Sequence, residues 1–326
     1  MLYDNHGRLI NYLRLAVTDR CNLRCFYCMP EEGINYKPRK ELLTFEEMER
    51  FVRMVAPLGI EKIRITGGEP FLRKGIHEFI QRINEIEGIK SIHVTTNGTR
   101  TKDIIPHFDS WGIKSVNLSL DSLDPERFFK ITRRREFDKV MESLNLLLEA
   151  GISTKINAVV MKGKNIDDIL PMIELARDRK VDIRFIEEMP FNGSGKHDTW
   201  TYQQTLEFVK SHYPQMGKIK DAPFSTSFNY QIPDFQGSIG FIPAYTRLFC
   251  GTCNRIRLTP EGMLKTCLYD DGVMSVRDIL RAGHSDEQII DQLKGVLNKR
   301  AKDGFEAENK RKQGKPVSES MATIGG

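Results

Sequence analysis

The positions of the cysteines constrain this chain more than any other feature. Its 326 residues include six cysteines, which form two groups of three near opposite ends of the sequence. The first triplet is Cys21, Cys25 and Cys28, and the second is Cys250, Cys253 and Cys267. Thiols confined to two such groups, in a chain without a secretory signal, bind metal more often than they form disulfides. The sequence therefore predicts two metal centres.

Composition narrows the class of protein further. Apolar residues make up 40% of the chain and charged residues 29%, which predicts a packed core in two domains or in one large α/β barrel with an extension. No run approaches the about 18 apolar residues of a membrane span, and the polar residues 1–14 lack the apolar segment of a signal peptide. We expect a cytoplasmic protein without a membrane partner. The net charge of +5 permits an anionic ligand but does not indicate nucleic acid.

Short apolar segments alternate with amphipathic helical segments through the first 190 residues. The predicted strands are residues 12–18, 62–66, 91–96, 115–120, 154–160 and 182–186. Strands that alternate with helices form a parallel sheet, and six such units exceed one mononucleotide-binding half-sheet. The predicted fold class is α/β: an incomplete (βα)6 TIM-like barrel with a C-terminal α+β extension that closes the side of the barrel.

The pattern changes after residue 190. Residues 191–236 are rich in Gly, Ser, Pro and aromatic residues, and strands are predicted at 238–242, 255–259 and 263–267. The polar residues 304–326 have the composition of a mobile terminus. We therefore predict three parts: a partial barrel at 1–190, a C-terminal domain with the second cysteine triplet at 191–303, and a flexible tail at 304–326 that ends in Gly-Gly.

The spacing within each triplet favours an iron–sulfur cluster. Structural zinc normally takes four protein ligands, and no histidine lies near Cys21, Cys25 and Cys28 to complete such a set. Three cysteines suit a four-iron cluster with one iron open. The second triplet leaves an equivalent open position. A zinc site with a distant fourth ligand remains an alternative for each triplet.

Two motifs together resemble the radical S-adenosylmethionine (SAM) superfamily. They are the Cys-x3-Cys-x2-Cys loop with Tyr27 before its last cysteine, and the run Gly67-Gly68-Glu69-Pro70 after the second strand. The resemblance implies a 4Fe-4S cluster whose open iron chelates SAM, and reductive cleavage of SAM to methionine and a 5′-deoxyadenosyl radical. It also implies four SAM-contacting positions: Tyr27, Gly68, Ser119 and Met189. Without it, Ser119 has the character of a turn cap and Met189 of a core residue.

The second triplet narrows the resemblance within the superfamily. Arg255 and Arg257 are two apart on a predicted strand, so both side chains project to one face. Two guanidinium groups beside an open metal site suit a phosphate-bearing substrate, and a solvated surface hairpin is the alternative. With the opening Arg14-Leu15-x-Val17-Thr18-Asp19-x-Cys21 and the terminal Gly325-Gly326, the chain resembles the GTP-cyclising family of molybdenum cofactor biosynthesis over nearly its whole length.

That resemblance implies a function, a site and partners. The implied reaction is the cyclisation of GTP to (8S)-3′,8-cyclo-7,8-dihydroguanosine 5′-triphosphate, with two 4Fe-4S clusters and SAM as cofactors. The second cluster would hold the guanine ring, and Gly325 and Gly326 would complete the catalytic site. The implied GTP-binding residues are Arg14, Arg64, Thr95, Lys155, Arg255 and Arg257. The implied partners are a reducing electron donor, a second copy in a homodimer and a downstream cyclic pyranopterin monophosphate synthase.

Two other functions fit parts of the pattern. Another two-cluster radical SAM enzyme, such as one that modifies a peptide, would also carry an auxiliary cluster in a C-terminal extension. A zinc-dependent protein that binds RNA or a protein partner would account for the cysteines alone. Metal analysis separates the second alternative, because iron and sulfide exclude a zinc site.

Overall fold

The computed structural model describes residues 1–30, 32–189, 199–311 and 320–325. Part of the predicted 191–236 segment, and Gly326, lie outside these residues. The strands are β1 (Leu2–Tyr3), β2 (Leu9–Ile10), β3 (Tyr12–Ala16), β4 (Lys62–Thr66), β5 (Ser91–Thr96), β6 (Ile113–Ser119), β7 (Ser153–Val160), β8 (Asp182–Glu187), β9 (Gly217–Lys218), β10 (Phe228–Gln231), β11 (Ile239–Ile242), β12 (Arg255–Leu258), β13 (Met263–Lys265) and β14 (Met274–Ser275).

Ten α-helices accompany the strands in the described part of the chain. They are α1 (Phe45–Val55), α2 (Ile76–Asn84), α3 (Pro125–Thr132), α4 (Phe137–Glu149), α5 (Ile169–Leu175), α6 (Tyr202–His212), α7 (Val276–Arg281), α8 (Asp286–Leu297), α9 (Gly304–Asn309) and α10 (Met321–Ile324). None of these helices has the length and apolar character needed to cross a membrane.

Twelve strands form one mixed sheet, in the order β14-β13-β12-β3-β4-β5-β6-β7-β8-β11-β10-β9. The eight strands from β12 to β11 in this order run parallel to their neighbours, and antiparallel pairs extend the sheet at both ends. This mixed α/β sheet fits an α/β TIM-like fold. The six predicted strands of the first 190 residues are all present, and β4 and β5 have the predicted bounds.

The C-terminal strands occupy both edges of the N-terminal sheet. β12 pairs with β3, and β11 pairs with β8, each in parallel. The predicted C-terminal extension closes the side of an incomplete barrel, and β3 and β8 are the two edges that such an extension would meet. Register brings arginines together here: Arg257 lies beside Arg14 across β12 and β3, and Arg14 lies beside Arg64 across β3 and β4.

Alternation along the strands separates an apolar face from a polar one. On β3, Leu13 and Leu15 are fully buried and belong to the same core cluster as Phe51 of α1. Successive strand residues point to opposite faces, so Tyr12 and Arg14 project to the other side of the sheet. Helices such as α1 therefore cover the apolar face, and the polar side chains of β3 project from the other face.

The helix that precedes β8 is short. The α-helix spans Ile169–Leu175, after a 3-10 turn at Ile166–Asp168. It ends there because the carbonyls of Ala176 and Arg177 accept the backbone N–H groups of Gly237 and Gln236, which lead into β11. Hydrogen bonds to residues about sixty positions away in the chain thus end the helix. A helical period in the sequence does not reveal such a distant partner.

The described parts of the predicted tail form two short helices. Ser320 caps the N-terminus of α10, and its hydroxyl donates to the carbonyl of Cys28 at 2.7 Å and accepts from the N–H of Ala322. Ile324 is 1% exposed and packs in a small cluster with Tyr269 and Ala307. The end of the chain thus lies against the first cysteine loop.

Candidate active site

One cavity of about 870 Å³ lies on the polar face of the sheet. Strands β3 to β8, the two flanking strands β11 and β12, and helix α10 all contribute to its lining. The six cysteines and ten other predicted site residues line it: Arg14, Tyr27, Arg64, Gly68, Thr95, Ser119, Lys155, Met189, Arg255 and Arg257. The two triplets therefore face one shared space. Gly325 follows the lining residues Met321 and Ala322, and Gly326 lies outside the described residues.

The first cysteine loop is held by backbone hydrogen bonds. The N–H groups of Cys28 and Met29 both donate to the carbonyl of Cys25 at 2.9 Å, which turns the loop back on itself. Burial, with the nearby charge of Glu69, raises the pKa of Cys21 to about 12. Burial also raises the pKa of Cys25 well above its ordinary value. The thiols are therefore protonated until a metal displaces their protons.

The Gly-Gly motif packs directly against this loop. The N–H of Gly68 donates to the carbonyl of Thr18 at 2.8 Å. A Cβ on Gly68 would lie 2.3 Å from the carbonyl oxygen of Arg20, and one on Gly67, where φ is +143°, would lie 2.4 Å from the carbonyl oxygen of Thr18. Only glycine permits this approach. The motif thus sets the position of the cysteine loop relative to β4.

Glu69 completes the link between this motif and β5. Its carboxylate is fully buried and accepts from the hydroxyl of Thr96 at 2.9 Å and from the N–H of Asn97 at 2.7 Å. Burial raises its pKa to about 7. The amide of Asn97 in turn lies 3.7 Å from the sulfur of Cys21. Strand β5 is therefore connected to the cysteine loop through buried polar groups.

The second triplet lies on the hairpin formed by β12 and β13. Cys250 opens a 3-10 turn, and Cys267 follows β13, where its N–H donates to the carboxylate of Asp270 at 2.8 Å. Burial raises the pKa of Cys267 to about 12. Burial also opposes ionisation of Cys253, but Arg300 and Arg255 outweigh it and lower the pKa of that thiol.

The donor sets suit clusters. Each triplet supplies three sulfur ligands to the shared cavity, and all six cysteines are free thiols. Among the described residues, no group of three or more His, Cys, Asp or Glu side chains is arranged to hold a single metal ion. Two observations therefore indicate that the triplets suit iron–sulfur clusters. Cysteine thiolates are the usual ligands of such clusters, and the loop geometry described above brings them together.

Cations crowd the wall of the cavity between the triplets. Arg255 and Arg257 alternate on β12 with the buried Ile256 and Leu258, so both project inward as predicted. Burial, reinforced by Arg257, lowers the pKa of Arg14 well below its ordinary value. Burial, reinforced by Arg255, lowers the pKa of Arg257 to about 10. These shifts mean that the cations of this wall repel one another, and that a polyanion would relieve the repulsion.

Tyr12 lies among these cations and was missed by sequence reasoning. The Nε of Arg64 donates to its hydroxyl at 2.6 Å, and the Nζ of Lys62 lies 5.0 Å from its ring centre. Burial alone would raise the pKa of Tyr12, but the charges of Arg64, Arg14 and Arg255 lower it to about 7. Its place on β3, two residues before Arg14, is the sequence signal that could have found it.

Several buried polar atoms on the cavity wall lack a hydrogen-bond partner among the described residues. They include Thr95 Oγ1, Asn117 Oδ1, Asn157 Oδ1, Arg184 Nε and Arg255 Nε. Buried polar groups are normally paired, so this set indicates a wall built to contact a ligand. Arg184, Asn117 and Asn157 were also missed, although Arg184 alternates on β8 with buried Ile183 and Phe185 in the same way as Lys155 alternates on β7.

Lys155 faces the cavity, as its position on a strand predicted, but it has a partner. Its Nζ forms an ion pair with the carboxylate of Asp182, which also accepts from the hydroxyl of Ser238 at 2.8 Å. Burial opposes ionisation of Asp182, but Lys155 outweighs it and lowers the pKa of Asp182. The charge of Lys155 is therefore partly compensated before any substrate binds.

Different elements of the fold carry the predicted SAM positions. Tyr27 donates its hydroxyl to the carboxylate of Asp121 at 2.8 Å. Ser119 is the last residue of β6, and Met189 packs against the cluster that contains Ile324 of α10. With Gly68, these residues line the cavity that both triplets face.

The carbonyl of Gly325 accepts hydrogen bonds from two of the predicted GTP-binding arginines. The distances are 2.7 Å from Nη1 of Arg257 and 3.4 Å from Nη2 of Arg14. A Cβ on Gly325, where φ is +76°, would lie 2.5 Å from Oγ1 of Thr66 and 3.0 Å from Cβ of Ala16. The tail glycine thus reaches the cationic wall through space that admits no side chain.

Family models match two adjacent parts of the chain. Residues 15–176 match the radical SAM superfamily, and residues 181–305 match the family described as Molybdenum Cofactor Synthesis C. The first match makes SAM and 4Fe-4S clusters the cofactors of this chain.

Curated relatives extend these matches over nearly the whole chain. A GTP 3′,8-cyclase from Clostridium perfringens is 40% identical over 94% of this chain and 96% of its own length. The mitochondrial GTP 3′,8-cyclase of Arabidopsis thaliana is 39% identical over 93% of this chain and 78% of its own length. Human molybdenum cofactor biosynthesis protein 1 is 41% identical over 89% of this chain, and the chain spans only 46% of that protein.

Solved structures agree on the fold. Streptococcus suis SuiB has a TM-score of 0.62 over 97% of this chain and 78% of its own, at 16% identity. At that identity the likeness shows a common fold alone. The sequence relatives and the two family models carry the assignment: the chain belongs to the GTP 3′,8-cyclase family of the radical SAM superfamily.

Proposed function

We propose that this protein cyclises GTP to (8S)-3′,8-cyclo-7,8-dihydroguanosine 5′-triphosphate, the first step of molybdenum cofactor biosynthesis. The observation that carries the proposal is the single cavity of about 870 Å³ in which both cysteine triplets and the arginine-rich wall meet. When bound, SAM and the reduced cluster at Cys21, Cys25 and Cys28 supply the radical that removes a hydrogen atom from the substrate. The protein's own groups bind GTP and SAM and orient them for the reaction.

SAM would bind beside the first triplet. In this proposal Tyr27, Gly68, Ser119 and Met189 contact it. The bond from Tyr27 to the buried Asp121 supports this role, because it fixes the ring beside the cysteine loop. The close packing of Gly68 supports it too, because a side chain there would displace the loop.

GTP would bind between the two triplets. A triphosphate carries about four negative charges, and each charge-assisted hydrogen bond contributes ~1.5–3 kcal/mol. The cationic wall supplies Arg14, Arg64, Arg255 and Arg257 along three neighbouring strands. Thr95 and Lys155 complete the predicted set, and the unpartnered Nε of Arg184 adds a cation to it. The guanine ring would reach the cluster at Cys250, Cys253 and Cys267.

We expect Arg255→Ala and Arg257→Ala each to weaken GTP binding about 10-fold or more while SAM binding changes little. Each variant loses a charge-assisted contact, and both side chains project from β12 into the cavity. Calorimetric titration of the anaerobically reconstituted protein with GTP and with SAM measures both effects. Arg135→Ala is the matched control, because that arginine is exposed and pairs with Glu126. Wild-type GTP affinity in both variants would contradict this role and favour the alternative, in which the two arginines belong to a solvated surface hairpin.

We expect Tyr12 to impose a pH dependence on GTP affinity. Its lowered pKa of about 7 makes it a phenolate at higher pH, and a phenolate repels a triphosphate and competes for the same cations. Binding should therefore raise that pKa and take up a proton, so affinity falls as pH rises through 7. The measurement is the ratio of the GTP affinity of the wild type to that of Tyr12→Phe between pH 6 and 9. Because the ionisation of GTP affects both proteins equally, its contribution cancels in the ratio. A ratio that does not change with pH contradicts the proposal.

One experiment separates the candidate functions. The reconstituted protein is incubated anaerobically with SAM, dithionite and each nucleoside triphosphate in turn, and the products are analysed. The proposal requires a cyclised product from GTP. Tightly bound zinc without iron would indicate a zinc-dependent binding protein, and SAM cleavage without any nucleotide product would direct attention to another radical SAM substrate, such as a peptide.

Finer features of the resemblance belong to the same proposal. We propose an incomplete (βα)6 barrel, supported by the strands that together line one cavity, and the division into residues 1–190, 191–303 and 304–326. We also propose a cytoplasmic homodimer that receives electrons from a reducing donor and passes its product to a cyclic pyranopterin monophosphate synthase. Six free cysteines suit a reducing compartment. Sedimentation analysis tests the dimer.

A further inference from the structure

We propose that Arg300 is a positioning residue of the second cluster, and that its hydrogen bond to the sulfur of Cys253 raises the reduction potential of that cluster. The inference rests on the proposed function, because it requires the second triplet to hold iron. Arg300 lies three residues past α8 and is 4% exposed. Its Nη2 lies 3.2 Å from the sulfur of Cys253.

The guanidinium group of Arg300 is fixed by four further hydrogen bonds. Its Nε donates to the carbonyl of Thr266 at 2.9 Å, and its Nη2 donates to the carbonyl of Arg255 at 3.0 Å. Its Nη1 donates to the carbonyl of Cys253 at 3.0 Å and to the carboxylate of Asp4 at 3.2 Å. Because Thr266 precedes Cys267, one planar group fixes the backbone at two of the three ligands.

Asp4 extends this support to the third ligand. Its side chain is fully buried and also accepts from Nε of Arg8 at 2.6 Å. The Nη1 of Arg8 donates to the carbonyl of Cys250 at 3.0 Å. Asp4, in the turn between β1 and β2, thus holds both Arg8 and Arg300. The first contacts the backbone of Cys250 and the second that of Cys253.

The contacts to the first triplet have a different character. The sulfur of Cys21 lies 3.7 Å from the amide of Asn97, and that of Cys28 lies 3.9 Å from the hydroxyl of Ser320. Both are neutral groups at longer range than the cationic donor at Cys253. Hydrogen bonds to cluster sulfurs and nearby positive charge stabilise the reduced, more negative state. The second cluster should therefore accept an electron more readily than it would without Arg300.

The test measures the potential of the second cluster alone. In the background of Cys21, Cys25 and Cys28 changed to Ala, all iron and all paramagnetic signal belong to the second site. A redox titration followed by electron paramagnetic resonance gives its midpoint potential in the parent, Arg300→Lys and Arg300→Met. We expect Arg300→Met to lower the equilibrium constant for reduction about tenfold, equivalent to ~59 mV for one electron. Arg300→Lys should fall between, because it keeps the charge and loses the planar fork.

Controls keep the test decisive. Arg281→Met removes an arginine paired with Glu47 on the surface and should leave the potential unchanged. If Arg300→Met loses its iron, two measurements still test the inference. They are the midpoint potential of Arg300→Lys and pulsed electron paramagnetic resonance of the parent in H₂O and D₂O. An exchangeable proton coupled to the reduced cluster should appear in the parent and weaken in the lysine variant.

The outcomes distinguish the inference from the proposed function. Full iron with an unshifted potential in Arg300→Met, or no coupled exchangeable proton in the parent, overturns the role of Arg300 alone. Absence of iron in every preparation, including the unmutated chain, overturns the proposed function together with the inference. No measurement in the series uses GTP, so a failure to cyclise GTP leaves the result on Arg300 unaffected.

Discussion

Replacing Cys21, Cys25 and Cys28 together with Ala is expected to abolish SAM cleavage. The change removes every thiolate of the first site, and about four irons per chain should disappear with it. The iron of the second site should remain, because the second triplet flanks the β12–β13 hairpin and has its own support from Arg300. Iron and sulfide analysis, with chromatography of 5′-deoxyadenosine, measures both effects.

The complementary variant is the matched control for this prediction. With Cys250, Cys253 and Cys267 changed to Ala, SAM cleavage should continue without cyclisation, because only the cluster that we propose to contact GTP is lost. The two variants remove equal numbers of thiols from the same cavity, so a general effect of cysteine loss would make them alike. Formation of 5′-deoxyadenosine by the first variant at the parent rate would contradict the assignment of its cysteines.

Changing Gly325 and Gly326 together to Ala is expected to reduce cyclised product about 100-fold or more. At Gly325, φ is +76° and a Cβ would lie 2.5 Å from Oγ1 of Thr66, so the tail cannot keep its path. Its bonds to Arg257 and Arg14 would then be lost or displaced. Both clusters and most GTP affinity should persist, because ligands and arginines belong to other elements. Iron analysis, GTP titration and product analysis together measure this separation.

A surface glycine supplies the control for backbone strain. Gly163 also has a positive φ, +68°, but nothing lies within 4 Å of the position of a Cβ there. Gly163→Ala should therefore keep wild-type product formation. A synthetic peptide of the last dozen or so residues, added in trans, should restore part of the activity of the double variant. Cyclisation by that variant at the wild-type rate would reduce the tail to a frayed terminus.

Local pattern accounts for what could be predicted of this fold. Strands β3 to β8 carry dense alternating apolar residues, and their positions followed from that period alone. The bounds of helix α2 were not predicted, because Gly75 at its N-terminus supplies no side-chain cap. Helix α3 does have a signal, the Asp124 cap followed by Pro125, which the apolar pattern around it obscured.

Site residues could be predicted where they lie together in a short sequence motif. They could not be predicted where the fold brings together residues that are distant in the sequence. The cysteines and the two arginines of β12 lie in short runs. Arg184 and Tyr12 required knowing which face of each strand turns inward, and that follows only once the whole sheet is in place. The contact between Asp4 and Arg300 joins residues nearly 300 positions apart, and no local pattern marks such a pair.

The sheet that positions this site has a consequence for how the protein is made. Strands β3 and β8 have their outer neighbours in β12 and β11, which are translated only after residue 238. A nascent chain that has completed β8 therefore exposes two unpaired parallel edges, and such edges template aggregation. Pairing β12 with β3 also closes a loop of most of the chain, which slows folding. We therefore expect synthesis of this protein to depend on chaperones that shield both edges until the ribosome releases about the last quarter of the polypeptide.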